Sequence, residues 1–177
     1  MFIYQKILIE SDTAQKINYE IINLDISSYS EYFNYLNIDY LKNHCPKLFK
    51  WMEELDLHPV KAAIIITDHN LYDFNSKPHI DMQVNSLALN FPIKNCEESE
   101  TIFYTTRSPL EKVILKKPNG VIYASLKNKD WVEIKKYTLD SAILLNTHIP
   151  HKVIHRGKNS RVALSIRFDP DPWELIE

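Results

Sequence analysis

Lys77-Pro78-His79-Ile80-Asp81-Met82 sets two polar residues, His79 and Asp81, two apart, with apolar Ile80 and Met82 between and after them. Taken as a β-strand, it puts His79 and Asp81 on one face and Ile80 and Met82 on the other, because successive side chains alternate. Strand-like runs lie on both sides of it. Ala62 to Thr67 is a continuous apolar run of the kind buried on both faces. Leu87 to Ile93 is another, and Pro92 marks its end or a sheet edge. Then come Thr101–Thr105, Val113–Leu115, Val121–Leu126, Trp131–Tyr137, Asp140–Leu145, Lys152–His155 and Arg161–Phe168. Val121–Leu126 and Trp131–Tyr137 read as a strand pair. Arg156-Gly157-Lys158-Asn159-Ser160 reads as a hairpin turn, Pro118-Asn119-Gly120 as a turn, and Asp68–Lys77 as a polar loop. Beyond residue 60 this gives roughly eight or nine short strands and no helix, the pattern of a sandwich, jelly roll or barrel.

The first third of the chain differs. Residues 2–9 read as a strand, and residues 17–26 as another through Ile17, Tyr19, Ile21, Ile22, Leu24 and Ile26. Ser27, Ser28 and Ser30 offer helix caps. From Tyr29 to Leu55 the apolar residues Tyr32, Tyr35, Leu36, Tyr40, Leu41, Leu48, Trp51, Met52 and Leu55 form a helical stripe, broken near Pro46. Two helices covering one face of a sheet are expected. The whole chain, 1–177, reads as a single domain: strands and supporting helices over 1–58, and a β core over 59–169.

Composition narrows the function classes. The chain has 177 residues and a net charge of −2, so it lacks the basic field of a nucleic-acid-binding protein. No apolar run approaches the ~20 residues of a membrane span. The N-terminus lacks a charged segment followed by a long apolar run. Cys45 and Cys96 are too few for a disulfide framework and form no Cys-x-x-Cys pair, so a cytoplasmic location is expected. With only Gly120 and Gly157, the turns must draw on Asn, Asp and Pro.

His79 and Asp81, side by side on a strand, make two thirds of a mononuclear metal site. Two imidazoles and a carboxylate with open positions opposite suit non-haem Fe(II) oxygen chemistry. His148, His151 and His155 compete to be the third ligand. His151 and His155 share a strand face, whereas His148 lies in the loop before Pro150. Near them, Arg161, Ala163, Ser165 and Arg167 share one face of a strand, and Val162, Leu164, Ile166 and Phe168 share the other. The apolar face suits packing under helices. The polar face offers a guanidinium fork, a hydroxyl and space, which is what a dicarboxylate needs.

In this ordered set the chain resembles the Fe(II)/2-oxoglutarate-dependent dioxygenase superfamily, whose motif is His-x-Asp, a distal His, and an Arg about ten residues further on. That resemblance maps onto His79, Asp81, His151 and Arg161, and the ten-residue spacing to Arg161 favours His151 over His155. It covers residues 60–168. Leu89-Asn90-Phe91-Pro92-Ile93 and Pro150-His151 are most similar to the aspartyl/asparaginyl β-hydroxylase-like branch, although Asp81 is present here where that branch often lacks the acid. The resemblance implies a double-stranded β-helix with Fe(II) and 2-oxoglutarate as cofactors. His79, Asp81 and His151 would be the catalytic metal ligands. Arg161, helped by Ser165 or by a hydroxyl from Thr101 to Tyr104, would hold the far carboxylate of the keto acid. O₂ and a small-molecule or peptide substrate complete the expected partners, with hydroxylation the expected outcome. Two other readings use the same residues. One is a cupin-type metalloenzyme without 2-oxoglutarate. The other is a jelly-roll binding or structural module whose histidines are incidental. Arg161 has a structural alternative of its own, an ion pair with Asp140 or Asp169. Arg167 is the alternative anchor for the carboxylate.

Overall fold

The computed structural model describes residues 1–68, 77–116 and 121–176. In chain order the elements are β1 (Tyr4–Lys6), α1 (Ser11–Ile22), β2 (Phe33–Leu36), α2 (Ile38–His44), α3 (Pro46–Glu54), β3 (Pro59–Thr67), β4 (His79–Asp81) and β5 (Leu87–Lys94). They continue with β6 (Ser99–Thr106), β7 (Lys112–Lys116), β8 (Ile122–Leu126), β9 (Trp131–Tyr137), β10 (Ile143–Asn146), β11 (His151–His155) and β12 (Arg161–Phe168). A 3-10 turn at Trp173–Leu175 follows.

The strands form two antiparallel six-stranded sheets. The first is ordered β1-β10-β5-β12-β3-β2 and the second β7-β8-β4-β11-β6-β9. From β3 to β6, and again from β9 to β12, each strand lies in the opposite sheet from the one before it. That crossing back and forth is the double-stranded β-helix.

β12 shows how sequence becomes layer. Val162, Leu164, Ile166 and Phe168 enter one core with Ile17, Ile21, Leu41, Leu48 and Met52 of the three helices. Ala163 enters the other, between the sheets, with Ala88, Phe103, Ile143 and Leu145. β5 divides the same way, Leu87, Leu89, Phe91 and Ile93 under the helices and Ala88 inward. Strands buried on both faces lose the polar alternation, so they read as apolar runs.

Several expectations are corrected. Residues 17–26 do not make a strand. Ile17, Ile21 and Leu24 are buried at three- and four-residue spacing on and just after α1, while Tyr19 points outward, 73% exposed. Of residues 2–9 only Tyr4–Lys6 pair in a sheet. The helical region begins at Asn37, whose side chain accepts from the backbone N–H groups of Asp39 and Tyr40, and not at the serines. Residues 33–36 are instead the edge strand β2. The break at Pro46 is real: it occupies the first turn of α3, where its missing N–H costs nothing.

Pro92 lies in an interior strand. β5 pairs with β10 only through Leu87–Asn90 and then runs past its end, so the missing donor at Pro92 leaves no β10 bond unmade. β8 and β9 are not partners; β8 lies between β7 and β4, and β9 pairs with β6. Residues 156–160 are not a hairpin turn, because β11 and β12 belong to different sheets. The turn Pro118-Asn119-Gly120 lies outside the described residues, as does the polar loop Asp68–Lys77 apart from its two end residues.

Asp56 and Asn95 take the left-handed conformation, with φ of 54° and 52°. Asp56 closes α3: its N–H donates to Glu53 and that of Leu57 donates to Met52, a helix end normally built on glycine. Among the described residues no helix is long and apolar enough to cross a membrane.

Candidate metal centre

β4 and β11 are neighbours in the second sheet, with His79 directly opposite His151. Their rings lie 4.6 Å apart, centroid to centroid. Asp81, two residues along β4, brings Oδ1 to 3.8 Å from His79 Nε2. One ligand atom each from His79, Asp81 and His151 falls within 4.8 Å of the others, and both histidines are buried. This is the cluster that the alternation of β4 implies once β11 lies beside it.

The tautomer of His151 follows from its surroundings. Nδ1 is 2.9 Å from the carbonyl oxygen of Ile149, an acceptor only, so Nδ1 carries the proton and donates. The Nε2 lone pair is thereby left for a metal, the arrangement by which a backbone carbonyl orients a ligating imidazole. Phe103 flanks the His151 ring at 5.8 Å, and Tyr123 meets the His79 ring edge-on at 6.1 Å.

Asp81 is paired as well. Arg167 donates from Nη2 to Oδ2 at 2.6 Å. Burial disfavours the charged carboxyl, but the charge of Arg167 and the nearby imidazoles outweigh it and hold Asp81 below its ordinary range. The carboxylate is therefore ionised, as a ligand must be. Two imidazoles and a carboxylate fit a divalent first-row metal and leave coordination positions open.

Arg161 begins β12 and faces the triad from the first sheet. It is 3% exposed. Its Nε donates to the hydroxyl of Ser99 at 3.0 Å, and Ser99 in turn donates to the carbonyl of Cys96. Among the described residues no carboxylate pairs with Arg161. Asp140, one expected partner, pairs with Lys6. Arg161, Ser165, Arg167, Thr101 and the triad line one cavity.

Tyr104 does not belong to that cavity. It stands on the other face of β6, edge-on to Trp131 at 6.0 Å, with the Lys152 ammonium 5.4 Å over its ring. The hydroxyl that β6 gives the cavity comes from Thr101. Arg167 is not a free anchor either, because its guanidinium is engaged with Asp81. His148 meets the carbonyl of Gln83 and His155 that of Asn159, both away from the triad.

Tyr32, Tyr137 and Asn90 also line the cavity. Burial pushes the Tyr32 phenol up, with Arg161 opposing and Asp81 adding. Burial likewise raises Tyr137, against its hydrogen bond with Thr101 and the charge of Arg161. Asn90 was legible by its alternation with Leu89 and Phe91. Tyr32 was hidden in an apparent helix, and Tyr137 by the mistaken pairing of β9.

No protein-family model matches the chain, and no curated protein matches it. Solved structures do. A prolyl hydroxylase from Trichoplax adhaerens, in complex with a hypoxia inducible factor oxygen degradation domain peptide fragment, aligns with a TM-score of 0.51 at 10% identity, over 94% of this chain and 82% of that one. AviO1 from Streptomyces viridochromogenes Tue57 gives 0.41 at 8% identity, over 94% and 89%. Acireductone dioxygenase from Bacillus anthracis, with a cadmium ion in the active center, gives 0.36 at 13% identity, over 96% and 79%. At these identities the prolyl hydroxylase likeness is one of fold: this chain is built as that oxygenase is.

Proposed function

We propose that the chain is an Fe(II)- and 2-oxoglutarate-dependent oxygenase that hydroxylates an amino acid, a peptide or another small polar substrate. One observation carries the reading: a single cavity holds the His79-Asp81-His151 cluster and, on the facing sheet, a buried arginine with no carboxylate partner among the described residues.

His79, Asp81 and His151 would hold the iron. Arg161 would take the far carboxylate of 2-oxoglutarate, with the hydroxyls of Thr101 and Ser165 in the same cavity. When bound, iron and 2-oxoglutarate supply the oxidising chemistry: O₂ is consumed as the keto acid becomes succinate and CO₂, and one oxygen atom enters a substrate C–H bond. The chain's part is binding, orientation and exclusion of water. Arg161 is costly to bury alone, so an anion that enters its pocket relieves a charge the fold already holds. Ile65, Leu145 and Val153 line the cavity with apolar surface, which keeps water from the reacting groups. His151 donates from Nδ1 to Ile149, which fixes the ring and turns Nε2 toward the site.

The prolyl hydroxylase of like fold was solved with a peptide, which supports keeping peptides among the substrates. The narrower likeness to the aspartyl/asparaginyl β-hydroxylase-like branch rests on residues 89–93 and on Pro150-His151. Within the first of these, Leu89, Phe91 and Ile93 pack under the helices, so that run serves the core first.

The test is anaerobic titration of the Fe(II)-loaded protein with 2-oxoglutarate, followed by the visible charge-transfer band of the chelate. A band that grows and saturates supports the reading. Iron uptake without a band points to a metalloenzyme that uses the triad without 2-oxoglutarate. No iron uptake leaves a binding or structural module.

A further inference from the structure

We propose that Arg167 is a positioning residue of the metal centre: it holds one oxygen of Asp81 so that the other is presented together with His79 and His151. The inference rests on the metal-centre reading above.

Arg167 is 7% exposed and lies on the first sheet, whereas Asp81 is on the second. Their bond, Nη2 to Oδ2 at 2.6 Å, spans the gap between the sheets. The other arm, Nη1, donates to the carbonyl of Asn85 at 2.8 Å and to the hydroxyl of Thr147 at 3.0 Å. Thr147 accepts on its carbonyl from the backbone N–H of Asp81, at 3.1 Å. Asp81 is thus tied at its backbone and its side chain to one small ring of groups. Thr147 lies just ahead of β11, the strand that carries His151, so the same ring sets the carboxylate relative to both β4 and β11.

The consequence is an asymmetric carboxylate. Oδ2 is committed to the guanidinium, while Oδ1 faces His79 Nε2 at 3.8 Å. A carboxylate held in this way gives a metal one oxygen and leaves the remaining positions open. Lysine would not reproduce the arrangement, because a point ammonium cannot hold three acceptors on a rigid fork. A purely structural pair would need only to neutralise Asp81. It would not need a tie to the strand that bears the other ligand.

The experiment is Co(II) titration of the wild type, Arg167→Met and Arg167→Lys, followed by the visible d–d absorption, with thermal melts of the metal-free proteins alongside. Arg167→Met is expected to bind Co(II) about 10–100-fold more weakly. Its d–d envelope should change, because Asp81 is then free to offer both oxygens. Arg167→Lys keeps the charge but not the planar fork and should recover part of the affinity. Wild-type affinity and envelope in Arg167→Met would overturn the proposal. If that variant does not fold, Arg167→Lys decides: a weaker, altered site supports it and an unchanged one overturns it. A wild type that takes up no Co(II) sinks the metal-centre reading itself, and this inference with it.

Discussion

Arg161 and Arg167 lie on the same face of β12, yet only Arg167 pairs with a carboxylate among the described residues. That difference predicts different losses. Arg161→Ala should leave metal uptake intact and weaken 2-oxoglutarate by at least about 2 kcal/mol, roughly 30-fold in Kd, since a buried charged partner is removed. An unchanged Kd, measured by the charge-transfer titration, would remove Arg161 from the cosubstrate site. His79→Ala takes away one of three ligands and should abolish metal uptake. The His79 side chain lines the cavity between the sheets, so the metal-free variant should stay folded, with a melting temperature close to that of the metal-free wild type.

Among the elements, α1 is where local pattern and tertiary packing part. Tyr19 and Ile21 would share a strand face, but on the helix Ile21 is fully buried and Tyr19 is not. Ile21→Ser should therefore cost about 2–5 kcal/mol in urea unfolding, through the cavity and the buried hydroxyl. Tyr19→Ser should fall within about 0.5 kcal/mol of the wild type. Equal losses at the two positions would favour the strand. β12 is the opposite case. Its eight residues point alternately to two faces, and each face has its own destination, helices on one side and the inter-sheet core and cavity on the other. Such a strand is readable in isolation. β9 is not, because Tyr137 is buried against residues far away in the chain, Tyr4 of β1 and Thr101 and Phe103 of β6.

For the whole molecule, the site lies between layers. The triad comes from the second sheet, and Arg161, Ser165, Arg167 and Asn90 come from the first. The apolar cores are built from side chains other than the three candidate ligands, so removing the ion should leave the chain folded. A metal that binds only the folded chain at a hundredfold over its Kd adds about 2.7 kcal/mol. For a chain of this length that raises the melting temperature by about 5–10 °C. A thermal melt with and without Co(II) checks it, and no shift would count against a metal centre.

The two faces of β12, the shared face of His79 and Asp81, the break at Pro46 and the mainly-β character beyond residue 60 are all legible in the amino-acid order. Each follows from local stereochemistry and the period of apolar residues. Tertiary structure alone decided that β4 lies beside β11, that β11 and β12 part into different sheets, and that Arg167 meets Asp81 while Tyr104 turns away. Strand partners are chosen by contacts between residues far apart in the chain. A run of alternating residues states which side chains share a face, but not what that face will meet.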